Sequence, residues 1–265
     1  MSINISPTRY LYFNCSSVEV GYFYGKYTNG QPVIIKNTSA DITSASAKGI
    51  TPVAMVFSKT TSSTDDTSNG WTNGYAISLK DVSTSSAWRS SGSGTDLSKQ
   101  WAFDYANAIK NYDGYKYTKE IVNNKTLSNY PAFNAAYNYS VKVSGASSGW
   151  YLPSIGQWYL LFVNVGKATG STTIKKSEVA YWTSDVFSLA TLKTNLNNAL
   201  NIVGSGKYDV FRSYGDTLIP GYWSSSESSA TEPVYCLYNN DNDTEFYRIK
   251  KNKTVEMYVR AVLSF

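Results

Sequence analysis

One short stretch in the second half of the chain, GWYLPSIGQW at residues 149–158, constrains the fold most strongly. Its aromatic and aliphatic residues run into Pro153, and Ser154 then stands where a helix N-cap belongs. From Ile155 onward, apolar residues recur at helical spacing up to a glycine at residue 166. The stretch therefore predicts a strand that leads directly into a buried helix.

Two further motifs follow, YWSSSE at 222–227 and YVRAVL at 258–263. Both alternate aromatic or aliphatic residues with small or polar ones, which is typical of strands in a sheet with one buried face. Between its apolar neighbours, Arg260 is expected to hold backbone groups or a carboxylate such as that of Glu227. The residues predicted to be structural are Trp150, Pro153, Trp158, Trp223, Glu227 and Arg260.

In this order the three motifs resemble those of the C-type lectin-like fold. They are most similar to a bacterial branch with a W-x-L-P-(S/T) helix entry, a Y-W-S-S-(S/T)-E strand and a final V-R-x-V strand, found in surface and phage-borne proteins of gut anaerobes. Formylglycine-generating enzymes and the variable proteins of diversity-generating retroelements share this general fold. The resemblance implies an α+β chain with a C-type lectin-like ligand-binding domain at 48–265, after a β-rich N-terminal attachment segment at 1–47.

Within residues 1–47, short apolar runs predict strands that belong either to a small attachment module or to the outer strands of the main domain. The Ser, Thr and Ala-rich stretch at 38–47 is predicted to be a connector. The continuous apolar run at 52–57 predicts a central strand, paired with 74–79. Apolar spacing predicts helices at 101–109 (with Asp96 or Ser98 as N-cap), 118–124, 131–139 and 189–203.

The composition argues against an enzyme. The chain has no histidine, the commonest general base and zinc ligand near neutral pH. Its two cysteines, Cys15 and Cys236, are far apart, and they form either one long-range disulfide or two buried free thiols. Formylglycine-generating enzymes use paired cysteines near the C-terminal end, where this chain has Cys236 alone. We therefore predict no catalytic residues, no cofactor and no metal.

Calcium prefers oxygen ligands to His or Cys, and the sequence offers carboxylates near its C-terminal end. Asp241, Asp243 and Glu245 alternate in a way that offers carboxylates to Ca²⁺, and Glu232-Pro233-Val234 is faintly similar to the E-P-N motif of animal C-type lectins. Here Val234 replaces the Asn ligand and the companion W-N-D motif is missing. The sequence therefore does not predict a calcium-dependent lectin site.

Charge and hydropathy limit the classes of partner that the sequence predicts. The net charge of +5 is dispersed rather than gathered into a basic stripe, so nucleic acid is not an expected partner. The chain has no apolar run long enough for membrane insertion, and its first twenty residues lack a signal-peptide pattern. These features favour a virion component such as a phage tail, and a signal upstream in the gene would favour a bacterial cell-surface location instead.

Tyrosine is abundant (23 residues), together with Ser, Asn and Gly, a mixture that recurs in protein surfaces evolved for binding. Polar residues gather in the last forty positions, between two strands that a lectin-like fold would place side by side. The alternative, without a binding role, is a polar hairpin, because Asn and Asp also favour tight turns. The candidate ligand-binding residues are Tyr235, Tyr238, Asn239, Asn240, Asn242, Asp243, Tyr247 and Asn252.

The retroelement-diversified relatives carry their variable residues in this region, in adenine-containing codons such as those of Asn. The resemblance thus implies that Asn239, Asn240, Asn242, Tyr247 and Asn252 are candidate diversified positions. The predicted function is a non-enzymatic module, a phage receptor-binding tip or a bacterial adhesin, that binds a cell-surface glycan or protein receptor as a homo-oligomer or attached to a fibre. The alternatives are a pilus or fibre assembly subunit and a carbohydrate-active enzyme, for which no spacing identifies a catalytic carboxylate pair.

Overall fold

A computed structural model describes residues 18–92, 94–101, 105–143, 145–167, 180–182, 189–212, 221–227, 234–239 and 246–265. For 234–239 and 246–251 it describes backbone pairing. The helices are α1 (Ser39–Ala47), α2 (Thr64–Ser68), α3 (Tyr105–Ala108), α4 (Gly114–Asn124), α5 (Pro131–Tyr137), α6 (Ile155–Asn164) and α7 (Leu189–Asn201). The strands are β1 (Phe23–Lys26), β2 (Pro32–Ile35), β3 (Thr51–Ser58), β4 (Tyr75–Ser78), β5 (Ser83–Ala87), β6 (Ala180–Trp182), β7 (Gly221–Trp223), β8 (Val234–Asn239), β9 (Phe246–Lys251), β10 (Glu256–Val259) and β11 (Val262–Ser264).

The described residues form a mixed α+β arrangement with two sheets. The first sheet has the strand order β11-β4-β3-β1-β2. The apolar run at 52–57 lies in its central strand β3, which pairs with β4 as predicted. The last strand of the chain, β11, pairs with β4 on the other side, so the C-terminal motif completes this sheet.

The two strands described before residue 47, β1 and β2, belong to the same sheet. β1 pairs with β3 and β2 pairs with β1, so the strand pairing continues across the predicted boundary at residue 47. The division into two domains stays a prediction. The connector predicted at 38–47 is wrong, because this stretch is helix α1: the Thr38 side chain accepts a hydrogen bond from the Asp41 backbone N–H, and Ile42 and Ala45 are buried.

The second sheet has the order β5-β10-β7-β8-β9-β6. Its centre joins two of the sequence motifs, because β7 of YWSSSE runs parallel to β10 of YVRAVL, with Tyr222 beside Tyr258. β8 pairs with β7 on its other side and β9 pairs with β8. The described parts of the polar C-terminal region, residues 234–239 and 246–251, therefore form an antiparallel pair next to a motif strand.

Helix α6 confirms the local prediction made from its sequence. The Ser154 hydroxyl accepts the Gln157 backbone N–H, and the Gln157 side-chain oxygen accepts the Ser154 N–H at 2.9 Å, which forms a capping box. Trp158 and Phe162 of this helix are buried in the same core cluster as the apolar stripe of α7, Leu192, Leu196 and Leu200. The helices predicted near 118, 131 and 189 are α4, α5 and α7.

One helix prediction needs correction. In the described part of residues 96–109, the helix is α3 at Tyr105–Ala108, and Asp96 and Ser98 lie in irregular chain before it. Asp96 is not an N-cap, because its carboxylate is bound in a buried cluster of ionic side chains. No helix among the described residues is both long and apolar enough to cross a membrane.

Candidate functional site

The β8–β9 hairpin carries the predicted ligand-binding region. Its antiparallel register places Tyr238 directly opposite Tyr247, and Tyr235 opposite Lys250. Asn239 is the last residue of β8 and pairs with Phe246. Three other candidates, Asn240, Asn242 and Asp243, lie outside the described residues, as does Cys15.

The register divides the candidates between two faces of the sheet. Directly paired residues share a face, so Tyr238 and Tyr247 lie on one face. Successive residues of a strand alternate, which assigns Tyr235 and Asn239 to the opposite face. The sequence grouped these four residues as one surface, and the backbone separates them into two pairs.

Asn252 lies at the turn between β9 and β10. It is exposed, and its side-chain oxygen accepts the Thr254 backbone N–H at 3.0 Å and the Thr254 hydroxyl at 2.9 Å. Its backbone carbonyl accepts the Val255 N–H at 3.0 Å. These bonds give Asn252 the turn-forming role that Asn commonly has, and it leads the chain into β10.

Strand β7, which supports the hairpin, is buried on both faces. Tyr222 packs against Trp158 at 5.4 Å between ring centroids and against Tyr258 at 5.4 Å. On the other face, the Trp223 indole N–H donates to the Ser86 carbonyl at 2.7 Å. The Trp158 indole N–H donates to the Trp223 carbonyl at 3.2 Å. The hairpin is therefore paired to a strand that packing and indole hydrogen bonds hold in place.

Next to the end of β7 lies a largely buried group of ionisable side chains, which we call the Lys253 cluster: Arg89, Asp96, Tyr130, Glu227 and Lys253. The Lys253 ammonium contacts the Asp96 carboxylate at 2.6 Å, the Glu227 carboxylate and the Gly94 carbonyl at 2.8 Å. Lys253 is 4% exposed and Glu227 is fully buried. Burying charges is unfavourable unless they are paired and hydrogen-bonded, and here they are.

Backbone groups complete the coordination of Glu227. Its carboxylate accepts the Asp96 N–H at 3.0 Å, the Leu97 N–H at 2.8 Å and the Gln100 side-chain amide at 3.3 Å. Its own backbone carbonyl accepts the Trp101 N–H at 3.0 Å. Glu227 thus fixes the loop at 94–101 to the end of the YWSSSE motif.

Asp96 has its own set of donors. The Tyr130 hydroxyl donates to its Oδ1 at 2.6 Å, and the Arg89 guanidinium lies 3.1 Å from the same oxygen. Burial raises the pKa of the Asp96 carboxyl, but hydrogen bonds from Lys253 and Tyr130 and the charges of Lys253 and Arg89 outweigh it. The pKa therefore lies below its usual value.

Arg260 is fully buried, but its carboxylate partner differs from the expected one. Its Nε lies 2.7 Å from the Asp81 carboxylate, and its other nitrogens donate to the carbonyls of Ser78, at 3.3 Å, and Asp209. Arg260 thus holds backbone carbonyls and a carboxylate, but that carboxylate belongs to Asp81 and not to Glu227. The reason is that Arg260 follows β10 toward the loop after β4, whereas Glu227 follows β7 toward the loop at 94–101. Arg260 also lies over the Phe211 ring at 4.1 Å, which ties the chain after α7 to the core.

The remaining residues predicted to be structural are all buried. The Trp150 indole N–H donates to the Val141 carbonyl at 2.6 Å, and the Pro153 carbonyl accepts the Ser225 N–H at 2.8 Å. The latter bond connects the helix entry directly with the YWSSSE motif. The sequence did not single out Tyr130 or Lys253, and it indicated Asp96 only as an N-cap. The one available signal for the cluster was that Glu227, a carboxylate inside a strand motif, needs a cation.

A second buried acid lies away from this cluster. Asp66 of α2 is 0% exposed, and neither of its carboxylate oxygens has a hydrogen-bond partner among the described residues. The hydroxyls of Tyr75 and Ser264 face it without reaching hydrogen-bond geometry. Burial raises the pKa of Asp66 to about 7; these hydroxyls offset part of the shift, and the charges of Asp113 and Asp65 add to it.

No group of three or more His, Cys, Asp or Glu side chains within the described ranges is placed to hold a metal ion. Asp241, Asp243 and Glu245, considered above for calcium, lie outside those ranges.

Comparison with known proteins identifies no family for this chain. No family model matches the chain, and no curated protein matches it. Among solved structures, the chain is similar to a fimbrial protein from Bacteroides ovatus, with 15% sequence identity and a TM-score of 0.49. The match covers 94% of this chain and 49% of that protein, so the chain spans about half the length of that neighbour. A likeness at this level assigns neither a family nor a function.

Proposed function

We propose that this chain is a non-enzymatic binding module with a C-type lectin-like architecture, and that the β8–β9 hairpin contacts a cell-surface glycan or protein receptor. The observation that carries the proposal is the placement of this Tyr and Asn-rich hairpin beside β7, a strand buried on both faces. A surface supported in this way loses little conformational entropy on binding. The parallel pairing of the YWSSSE and YVRAVL strands supports the architectural part of the proposal.

Recognition would combine two kinds of contact. Tyrosine rings offer rigid apolar area on which a sugar ring or a receptor side chain can stack. Asn and Asp side chains in the hairpin supply hydrogen bonds, and a wrong ligand would leave them unpaired. We propose a phage receptor-binding tip or a bacterial surface adhesin as the setting, with diversification at Asn239, Asn240, Asn242, Tyr247 and Asn252 as part of the same hypothesis.

The test measures binding of the fluorescently labelled chain to an array of bacterial surface polysaccharides and to intact cells of gut anaerobes. A variant with Tyr238, Asn240, Asn242 and Tyr247 all replaced by Ala is expected to lose binding. Tyr137→Ala, which removes a 37% exposed tyrosine on α5, is the control and is expected to bind as wild type does. Unchanged binding by the fourfold variant would contradict the site.

Two double variants then identify the face that is used. Tyr238→Ala with Tyr247→Ala removes the pair on one face, and Tyr235→Ala with Asn239→Ala removes the pair on the other. We expect one double variant to lose most of the binding and the other to keep it. Concentration-dependent assembly without any foreign ligand, measured by sedimentation velocity, would favour the assembly-subunit alternative instead.

A further inference from the structure

The Lys253 cluster has a geometry that suits covalent chemistry. The Lys253 Nζ lies 2.6 Å from Oδ2 of Asp96, and it also contacts the Glu227 carboxylate. All three side chains are buried. The Trp88 ring covers the amine, with its centroid 4.9 Å from Nζ, and Phe133 packs edge-on against Trp88. An amine, a carboxyl group and a second carboxylate are thus held together away from water.

From this arrangement we propose that Lys253 and Asp96 condense to an amide, an intramolecular cross-link between the loop at 94–101 and the turn before β10. The Lys253 ammonium first gives a proton to Oδ2 of Asp96, which leaves a neutral amine and a carboxylic acid. The nitrogen attacks Cγ of Asp96, and the bond from Cγ to Oδ2 breaks. The products are one amide and one water molecule, and no oxidant, reductant or cofactor is needed.

Glu227 is the proposed catalytic residue of this step. It contacts the attacking nitrogen, so its carboxylate can take the second proton from Nζ and deliver it to the departing Oδ2 as water forms. Backbone N–H groups of Asp96 and Leu97 hold the carboxylate in this position. After reaction, the new amide N–H would donate to Glu227, so the buried oxygen keeps a partner.

The other oxygen of Asp96 is already held by donors. Oδ1 receives the Tyr130 hydroxyl at 2.6 Å and the Arg89 guanidinium at 3.1 Å. Negative charge develops on this oxygen when nitrogen adds to Cγ, and preorganised donors stabilise such charge. In the product, Oδ1 is the amide oxygen and retains both donors. The net charge of the cluster is zero before and after, since Arg89 and Glu227 remain.

Proximity favours the reaction and the ion pair slows it. Groups held in contact react as if present at very high concentration. Hydrogen bonds and nearby charges keep Asp96 ionised most of the time. We therefore expect cross-linking to follow folding slowly and to be complete in aged protein.

Intact mass spectrometry of the denatured full chain, measured from purification through prolonged incubation, tests the proposal. The wild-type mass is expected to fall by that of one water, and proteolysis should release a branched peptide that joins residues 96 and 253. Lys253→Arg keeps the charge and is expected to retain the full mass. Glu227→Gln is expected to slow the loss at least tenfold.

Asp96→Asn supplies a chemical control, because attack on a carboxamide releases ammonia in place of water. A wild-type chain that keeps its full mass after prolonged incubation would overturn the proposal. Loss of water without the branched peptide would also overturn it, since cyclisation of an aspartyl residue elsewhere would then account for the mass. The measurement is independent of ligand binding, so its outcome does not bear on the proposed function.

Discussion

Replacing Asp66 by Asn should make the protein more stable, and increasingly so as the pH rises. Asp66 is fully buried, and no described residue donates a hydrogen bond to it. Asp65 and Asp113 add repulsion, and the hydroxyls of Tyr75 and Ser264 offset only part of the cost of burial. Ionisation of Asp66 therefore opposes folding, and Asn has a similar shape without the charge.

The magnitude follows from the pKa, which is raised from 3.8 to about 7. Because the folded pKa lies above the unfolded one, the contribution of this carboxyl group to stability is fully present below pH 3.8 and is lost as the pH rises through about 7. At about 1.4 kcal/mol per pKa unit, the full loss is on the order of 4 kcal/mol. Linkage assigns about 2–3 kcal/mol of that loss to the interval between pH 5 and pH 8.

Urea unfolding of wild type and Asp66→Asn at pH 5 and pH 8 measures this interval. The stability difference between the two proteins is expected to grow by about 2–3 kcal/mol from pH 5 to pH 8. Asp65→Asn, which alters the neighbouring and partly exposed acid, is the matched control and should show a much smaller change. If the difference between wild type and Asp66→Asn stays constant across this range, the charge of Asp66 does not oppose folding and the reasoning is refuted.

Three further predictions concern the structural core, each checked by urea or thermal unfolding. Glu227→Ala leaves Lys253 and backbone N–H groups without their carboxylate and is expected to lower the free energy of unfolding by about 3–5 kcal/mol; melting as wild type does would contradict the role of Glu227. In Arg260→Lys, the new side chain cannot bridge Asp81 and two carbonyls together, so the free energy of unfolding should fall by about 2–4 kcal/mol. A fall of under about 0.5 kcal/mol would refute this prediction. Gly156→Ala places a methyl group against the Asn111 carbonyl and should cost about 1–3 kcal/mol, whereas an unchanged melting temperature would show that this contact relaxes freely.

The parts of the fold that were predictable rest on local signals. The Ser154 cap and the apolar spacing after it specify helix α6 within one segment, and the continuous apolar run at 52–57 specifies a strand buried on both sides. Helix α1 was not predicted, because its buried side consists of Ile42 and Ala45 among Ser and Thr. Such a side gives only a weak periodic pattern of apolar residues.

Partners across long sequence distances could not be predicted. The carboxylate of Glu227 meets Lys253 and the loop at 94–101, and Arg260 meets Asp81, because of how the strands are ordered. Strand order is a property of the whole sheet, and neither motif encodes its partner. The same limit applies to the candidate site, where composition identified the hairpin region but the register decides that Tyr235 and Tyr238 lie on opposite faces.

Hydroxyl-radical footprinting of the chain bound to intact bacterial cells tests the proposed binding surface most directly. Tyrosine rings are readily oxidised, so each one reports whether a ligand covers it. The proposal predicts that cell binding lowers the oxidation of Tyr238 and Tyr247, or of Tyr235 on the opposite face, while Tyr137 on α5 is oxidised as in the free protein. Protection of Tyr137 with no change at the hairpin tyrosines would contradict the proposal.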